Sequence, residues 1–157
     1  MALQEELELQ GNWLFRYRSI LPLIILAIGT LVYLHTELHP ESFFIEETFL
    51  DDYYELACLT ICLLGLAVRI YTVGHTPANT SGRNAMKGQL ADSLNTTGIY
   101  SVIRHPLYLG NFFMWLGVAL LTGNFWFVGV LCLIYWIYYE RIMFAEEQFL
   151  RRKFDAL

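Results

Sequence analysis

Residues 97–110 read Thr-Gly-Ile-Tyr-Ser-Val-Ile-Arg-His-Pro-Leu-Tyr-Leu-Gly, and they mark the point where a polar loop turns into an apolar helix. Pro106 suits the first turn of a helix, because the N–H it lacks has no intrahelical acceptor there. From Leu107 to Leu121 the chain is apolar, with Tyr108 and Asn111 as the main polar interruptions. The N–H groups of that first turn have no intrahelical partner, so this helix start is suited to an anion or a carboxylate. Arg104 and His105 stand at its mouth, a cation and a proton carrier at the edge of an apolar segment.

Working outward, composition sets the class. The 157 residues are 56% hydrophobic and 16% aromatic, and only 16% are charged. Soluble domains carry about 25% charged residues. The chain therefore reads as an all-α, polytopic membrane protein forming a single membrane domain over residues 1–157. Two N-terminal spans fall within 1–74; a loop, a hairpin and a catalytic-type helix fill 75–157. No length is left for a separate soluble domain. The net charge of −5 and the lack of a basic face argue against a nucleic-acid partner. Cys58, Cys62 and Cys132 lie in apolar stretches and read as small buried hydrophobes; no metal site is expected from them. The first apolar run has no small-residue cleavage site after it, so no cleavable signal peptide is expected.

About four transmembrane helices are predicted. Residues 1–11 permit a short amphipathic helix at the membrane interface or frayed, followed by the boundary residues Trp13, Phe15, Arg16, Tyr17 and Arg18. Ser19–Leu34 is the first span, with an apolar part of roughly 15 residues where a full crossing takes ~20. Snorkelling of Arg16 and Arg18 lets the flank make up the difference. His35–Asp52 is an acidic loop in which His35 and His39 are spaced for one helix face. Tyr53–Gly74 is the second span, and it contains Arg69. Either Arg69 snorkels or it contacts an acidic group in a cavity. His75–Thr97 is a long polar loop of the kind that is usually functional or disordered. Leu107–Leu121 and Phe125–Tyr139 form a helical hairpin around Thr122-Gly123-Asn124. Glu140–Leu157 then continues the fourth segment out of the membrane as a charged helix. The 35–52 loop has no Lys or Arg, which places the N-terminus, the long loop and the C-terminus on the cytoplasmic side.

The hairpin brings the Arg104-His105-Pro106 junction close to the helix running from Glu140 through Glu147. On that helix Glu140, Phe144, Glu147 and Arg151 share a face, while Glu146 lies 100° from Glu147, so the pair is not expected to point the same way. From residue types alone, this is either an interfacial salt-bridge cluster or a polar pocket that meets a water-soluble cofactor and a membrane-soluble substrate.

Gly98-Ile-Tyr-Ser-Val-Ile-Arg-His-Pro-Leu-Tyr-Leu-Gly110, the hairpin, and Glu146-Glu147-Gln148-Phe149-Leu150 together resemble the isoprenylcysteine carboxyl methyltransferase and phospholipid methyltransferase superfamily. Thr80-Ser-Gly-Arg-Asn84 looks like a feature of its prokaryotic members. The resemblance implies an S-adenosylmethionine-dependent methyltransferase, multi-pass in a bacterial inner membrane, acting on a lipophilic acceptor taken from the bilayer. The motif positions imply that His105, Tyr108 and Gly110 form the cofactor pocket, with Arg104 and Pro106 shaping it. Glu146 and Glu147 would contact the cofactor or orient the acceptor, and Tyr100, Tyr108, Tyr138 or Tyr139 would face the sulfonium. Arg104, Glu146 and Glu147 are the catalytic candidates; Tyr100, His105, Pro106, Tyr108, Gly110 and Glu147 are the cofactor-binding ones. The family pattern continues past the Glu-Glu helix with a closing segment, whereas this sequence stops at Phe154-Asp-Ala-Leu157, so the expectation is either a truncated chain or an incompletely covered cofactor pocket. The hairpin also resembles the C-terminal half of NADPH-dependent membrane sterol reductases, whose motif has Asn where this chain has Leu107. A non-catalytic membrane scaffold is the remaining alternative.

Overall fold

The computed structural model describes residues 2–39, 51–76, 94–96 and 98–154. Most of the acidic loop, most of the long polar loop with its Thr80–Asn84 stretch, and the last three residues lie outside the described residues. The described part is helical: α1 Ala2–Arg16, α2 Ile20–Leu38, α3 Asp51–His75, α4 Pro106–Leu121 and α5 Phe125–Phe154, with a 3-10 turn over Gly98–Ser101 before α4.

Three helices, α2, α3 and α5, are long and apolar enough to cross a membrane. The fourth expected span is not among them, because α4 has 16 residues and reaches only about 24 Å at 1.5 Å per residue. Large apolar side chains such as Trp126, Leu133 and Trp136 stand exposed on α5, as side chains facing lipid do.

The hairpin turn is built from three residues with separate tasks. Thr122 bonds back to the Ala119 carbonyl at 2.7 Å. Gly123 takes φ +65°, a conformation that ends a helix without a Cβ penalty. Asn124 caps α5, its Oδ1 accepting the Phe127 N–H at 3.0 Å. α5 then runs 30 residues without a break, so the fourth segment and the charged helix are one element.

Two packing seams fix the hairpin. The first joins α3 to α4 through small residues. A Cβ on Gly65 would lie 2.6 Å from the Gly110 carbonyl oxygen, and one on Gly117 would lie 2.6 Å from the Cys58 carbonyl oxygen. The backbones approach this closely only because those Cβ atoms are absent. Cys62 Sγ donates to the Met114 carbonyl at 3.3 Å, and the Tyr54 hydroxyl donates to the Leu120 carbonyl at 2.6 Å. The second seam holds α1 against α5. Gly11 meets the α5 backbone at Arg141 and the Ala145 methyl, Phe15 is buried with Tyr135, Tyr139 and Ile142, and the Tyr138 hydroxyl donates to the Leu14 carbonyl at 3.0 Å. Arg141 pairs with Gln10 and Arg152 with Glu8. The N-terminal segment is thus a 15-residue strap on α5, not a frayed end. α2 is packed more lightly, with Gly29 against Phe127. Its helix runs past Leu34 to Leu38, and His35 and His39 stack at its end, ring centroids 4.6 Å apart.

Glycine-to-alanine exchanges should therefore change sign with position. Gly117→Ala forces α3 and α4 apart and should cost about 1–3 kcal/mol. Gly129→Ala meets nothing within 4 Å and should be neutral or stabilise by up to ~1 kcal/mol through helix propensity. Thermal unfolding of both variants in the same detergent checks the contrast.

Candidate active site

The N-terminal end of α4 and the C-terminal half of α5 enclose one side of a cavity of about 700 Å³, within the range of small-molecule sites. Its shape follows from side-chain direction. Helical side chains lean toward their own N-terminus. On α4 that lean carries Tyr108 up toward the loop, and on antiparallel α5 it carries Glu146 down toward α4. The two meet: the Tyr108 hydroxyl donates to Glu146 Oε2 at 3.0 Å. Glu140, level with the start of α4, is exposed instead. The carboxylates that meet the start of α4 thus lie nearly two turns further along α5 than Glu140.

Glu146 is a buried carboxylate, 6% exposed. His105 lies between it and Glu147, with Nδ1 3.6 Å from Glu146 Oε2 and Nε2 3.4 Å from Glu147 Oε1. The two glutamates diverge by 100° on the helix, as expected, yet both serve one imidazole, because its nitrogens lie on different edges of the ring. Arg104 Nη1 stands 3.6 Å from Glu147 Oε1 with most of its side chain in solvent. The His105 carbonyl accepts the N–H groups of Tyr108 and Leu109, both at 3.2 Å, so the residue that presents the imidazole also seats the helix.

Aromatic rings pack around this cluster. His105 stacks on Tyr108, Tyr108 meets Tyr139 at a tilt, and Tyr139 stacks on Tyr135, with centroids 5.6, 4.9 and 4.1 Å apart. The Tyr135 hydroxyl donates to the Tyr108 carbonyl at 2.7 Å and ties the hairpin arms together. Tyr100, on the 3-10 turn, lines the mouth. Burial raises its pKa above the ordinary tyrosine value, and the negative charge of Glu146 adds to the rise, while a hydrogen bond with Thr76 opposes it.

Of the residues expected from sequence, Tyr100, Arg104, His105, Pro106, Tyr108 and Glu146 line the cavity. Glu147 sits behind His105. Gly110 faces the α3 backbone, where its missing Cβ admits Gly65 and Arg69. Tyr138 turns to α1, whereas Tyr139 lines the cavity. Arg69 donates to Asn111 Oδ1 on the cavity wall, and among the described residues no acidic side chain pairs with it. Arg18, Thr76, Asn111 and Trp115 also line the cavity and were not named as site residues from the sequence. Asn111 was visible as a polar break in an apolar run; Arg18 was hidden by its resemblance to an interfacial anchor.

The donor set suits a group that is cationic at its centre. A buried carboxylate and the rings of Tyr100, Tyr108 and Tyr139 favour a sulfonium or ammonium, while arginines at the rim favour a carboxylate. S-adenosylmethionine carries all of these, so the residues present fit it. Among the described residues, no group of three or more His, Cys, Asp or Glu is placed to hold a metal ion.

Fold and site together define a helical membrane protein with a carboxylate-bearing aromatic cavity at the open end of a hairpin. The sequence profile of the phospholipid methyltransferase family matches residues 56–156, and the chain belongs to that family. It is 32% identical over 104 residues to the nickel-cobalt-cadmium resistance protein NccN of Alcaligenes xylosoxydans xylosoxydans, covering 66% of this chain and 46% of that protein. It is 33% identical over 103 residues to the protein-S-isoprenylcysteine O-methyltransferase of Schizosaccharomyces pombe, covering 65% and 43%. A third relative, the cobalt-zinc-cadmium resistance protein CzcN of Cupriavidus metallidurans, is 33% identical over 69 residues, covering 44% and 32%. The chain spans less than half the length of each. No solved structure matches it.

Two outcomes follow from the geometry. Tyr108→Phe removes the hydroxyl donor from buried Glu146 and should cost about 1–3 kcal/mol in unfolding experiments. Tyr100 should hold its proton above the ordinary tyrosine value of about 10. In a difference titration against Tyr100→Phe, its phenolate absorbance should emerge later than that of free tyrosine. The folded state binds that proton more tightly than the unfolded state, so its contribution to stability is present below the unfolded pKa and is lost as pH rises through the folded one.

Proposed function

We propose that this chain transfers a methyl group from S-adenosylmethionine to a lipid-like acceptor at the cytoplasmic face of a bacterial inner membrane, with both termini on that side. The observation that carries the reading is the buried Glu146 carboxylate among aromatic faces, joined to Tyr108 and His105. When bound, S-adenosylmethionine supplies a methyl on a cationic sulfonium, which leaves in line with the C–S electron pair returning to sulfur.

The chain's own residues do the positioning. Glu146 and the tyrosine faces favour the cationic part of the donor before transfer and lose that attraction once the sulfur is neutral, which promotes product release. Tyr100, kept protonated, offers its hydroxyl to the cavity. Arg104 offers a cation to a carboxylate, and Pro106 sets the direction in which His105 presents its ring. If the acceptor is an ammonium group, its proton must leave first, and the Glu147–His105 pair is placed to receive it. If the acceptor is a carboxylate, no proton moves. Catalysis then rests on holding donor and acceptor in near-attack geometry. Membership of the phospholipid methyltransferase family and the isoprenylcysteine methyltransferase relative support a lipid-like acceptor. A buried carboxylate among aromatic faces favours a sulfonium over the phosphate-rich NADPH of the reductase alternative.

Full-length protein in detergent should bind S-adenosylmethionine and gain thermal stability from it. Glu146→Gln should weaken that binding about ten- to hundredfold, since a charge-assisted contact is lost. Membranes supplied with donor labelled on the methyl should yield labelled material in the lipid extract. Absence of both binding and labelling would sink the reading.

A further inference from the structure

The cavity has two charge environments, and the methyl-transfer reading uses only one of them. At its mouth the carboxylates are engaged, Glu146 by Tyr108 and His105, Glu147 by Arg104 and His105. Deeper on the same wall lies Arg69. It sits about 9 Å before the end of α3, and Asn111 lies about 7.5 Å inside the start of α4, at 1.5 Å per residue. An arginine so placed has the stem to snorkel toward its helix end. Arg69 instead reaches sideways at that depth and donates Nη1–H to Asn111 Oδ1.

The amide is neutral, so the bond orients the guanidinium without cancelling its charge. Asn111 also neighbours Tyr139 in the cavity lining. Among the described residues, no carboxylate forms an ion pair with Arg69. Pro22, Val73, Met114 and Trp115 line the cavity with it. Arg69 is exposed toward this space, and a cation held in place with a neutral partner, beside apolar side chains, is the complement of an anion carried on an apolar chain.

We propose that Arg69, oriented by Asn111, is a specificity-determining residue that receives the anionic group of the acceptor, a phosphate or a carboxylate, with the acceptor's hydrocarbon chain along Met114, Trp115 and Pro22. The word acceptor rests on the methyltransferase reading, but the binding itself needs no methyl donor. The test is calorimetric titration of the full chain in neutral-detergent micelles with dodecyl phosphate, dodecanoate and uncharged dodecanol, and separately with S-adenosylmethionine. At least one anionic amphiphile should bind more tightly than dodecanol, and the tighter of the two identifies the anion. Arg69→Gln should weaken its binding about ten- to hundredfold and leave dodecanol and S-adenosylmethionine unchanged. Asn111→Asp, which gives Arg69 a built-in carboxylate, should do the same, and Arg69→Lys should recover part of the affinity. Should Arg69→Gln fail to fold, the other two variants decide. Equal binding of dodecanol and both anions by the wild type overturns the proposal, as does undiminished anion binding in Arg69→Gln and Asn111→Asp. So does a loss confined to S-adenosylmethionine, which would give Arg69 to the cofactor's carboxylate. Anion binding that depends on Arg69, in a protein that does not bind S-adenosylmethionine, upholds the anion site and rejects the methyltransferase reading.

Discussion

The opposed lean of side chains on two antiparallel helices underlies the site. Tyr108 tilts toward the start of α4 and Glu146 tilts toward the start of α5, and the hydroxyl meets the carboxylate at 3.0 Å. Everything else near the cavity depends on that meeting. It sets the length by which α5 must overshoot α4, and it buries a carboxylate that needs donors. It also makes His105 the natural second partner, since the chain enters α4 from directly above. An apolar pair at these positions would join the helices equally well, but it would leave a closed seam instead of a cavity with charge in it.

That arrangement is held from both sides. The α3–α4 seam brings backbones together through Gly65, Gly110 and Gly117, which fixes the height at which Arg69 faces Asn111. The α1 strap packs along the far side of α5 and buries Phe15 against Tyr135 and Tyr139. Those two tyrosines then carry the packing through to Tyr108 by ring contacts. The tyrosine that supports the site from the α1 side thus also lines the cavity. α2 has no comparable seam, so the cavity is rigid where the carboxylates are and less constrained where α2 contributes Pro22.

Much of the hairpin was legible in the sequence because its signals are local. Pro106 starts α4, Gly123 stops it and Asn124 caps α5, each through its own backbone chemistry. The membrane class was legible from composition, and the Arg-His-Pro and Glu-Glu motifs pointed to residues that do come together. Three things were not legible, because each depends on partners distant in the chain. The helical strap at residues 2–16 exists through its packing on α5, which no periodicity reports. Glu140 looked level with Arg104 by residue counting, but counting along axes ignores the direction in which side chains lean. Gly110 is small enough for close helix packing, but that its partner is α3, at Gly65 and Arg69, rests on contacts distant in the chain.

The position of Arg69 shows why a motif alone under-describes such a cavity. A motif records residues close in sequence around a helix start, and here it captures the mouth: Arg104, His105, Tyr108. The deep wall is assembled from α2, α3 and α4, whose contributions stand alone in their own segments as Pro22, Arg69 and Asn111. Read singly, each has an ordinary explanation as a helix-start proline, a snorkelling cation or a polar interruption. Only their convergence on one cavity changes the reading. Asn111 matters most in this, because an aspartate there would neutralise Arg69 and an alanine would release it toward the helix end. The amide keeps the guanidinium both charged and in place. A protein that only needed to tolerate an arginine in its membrane segment would gain more from either of the alternatives.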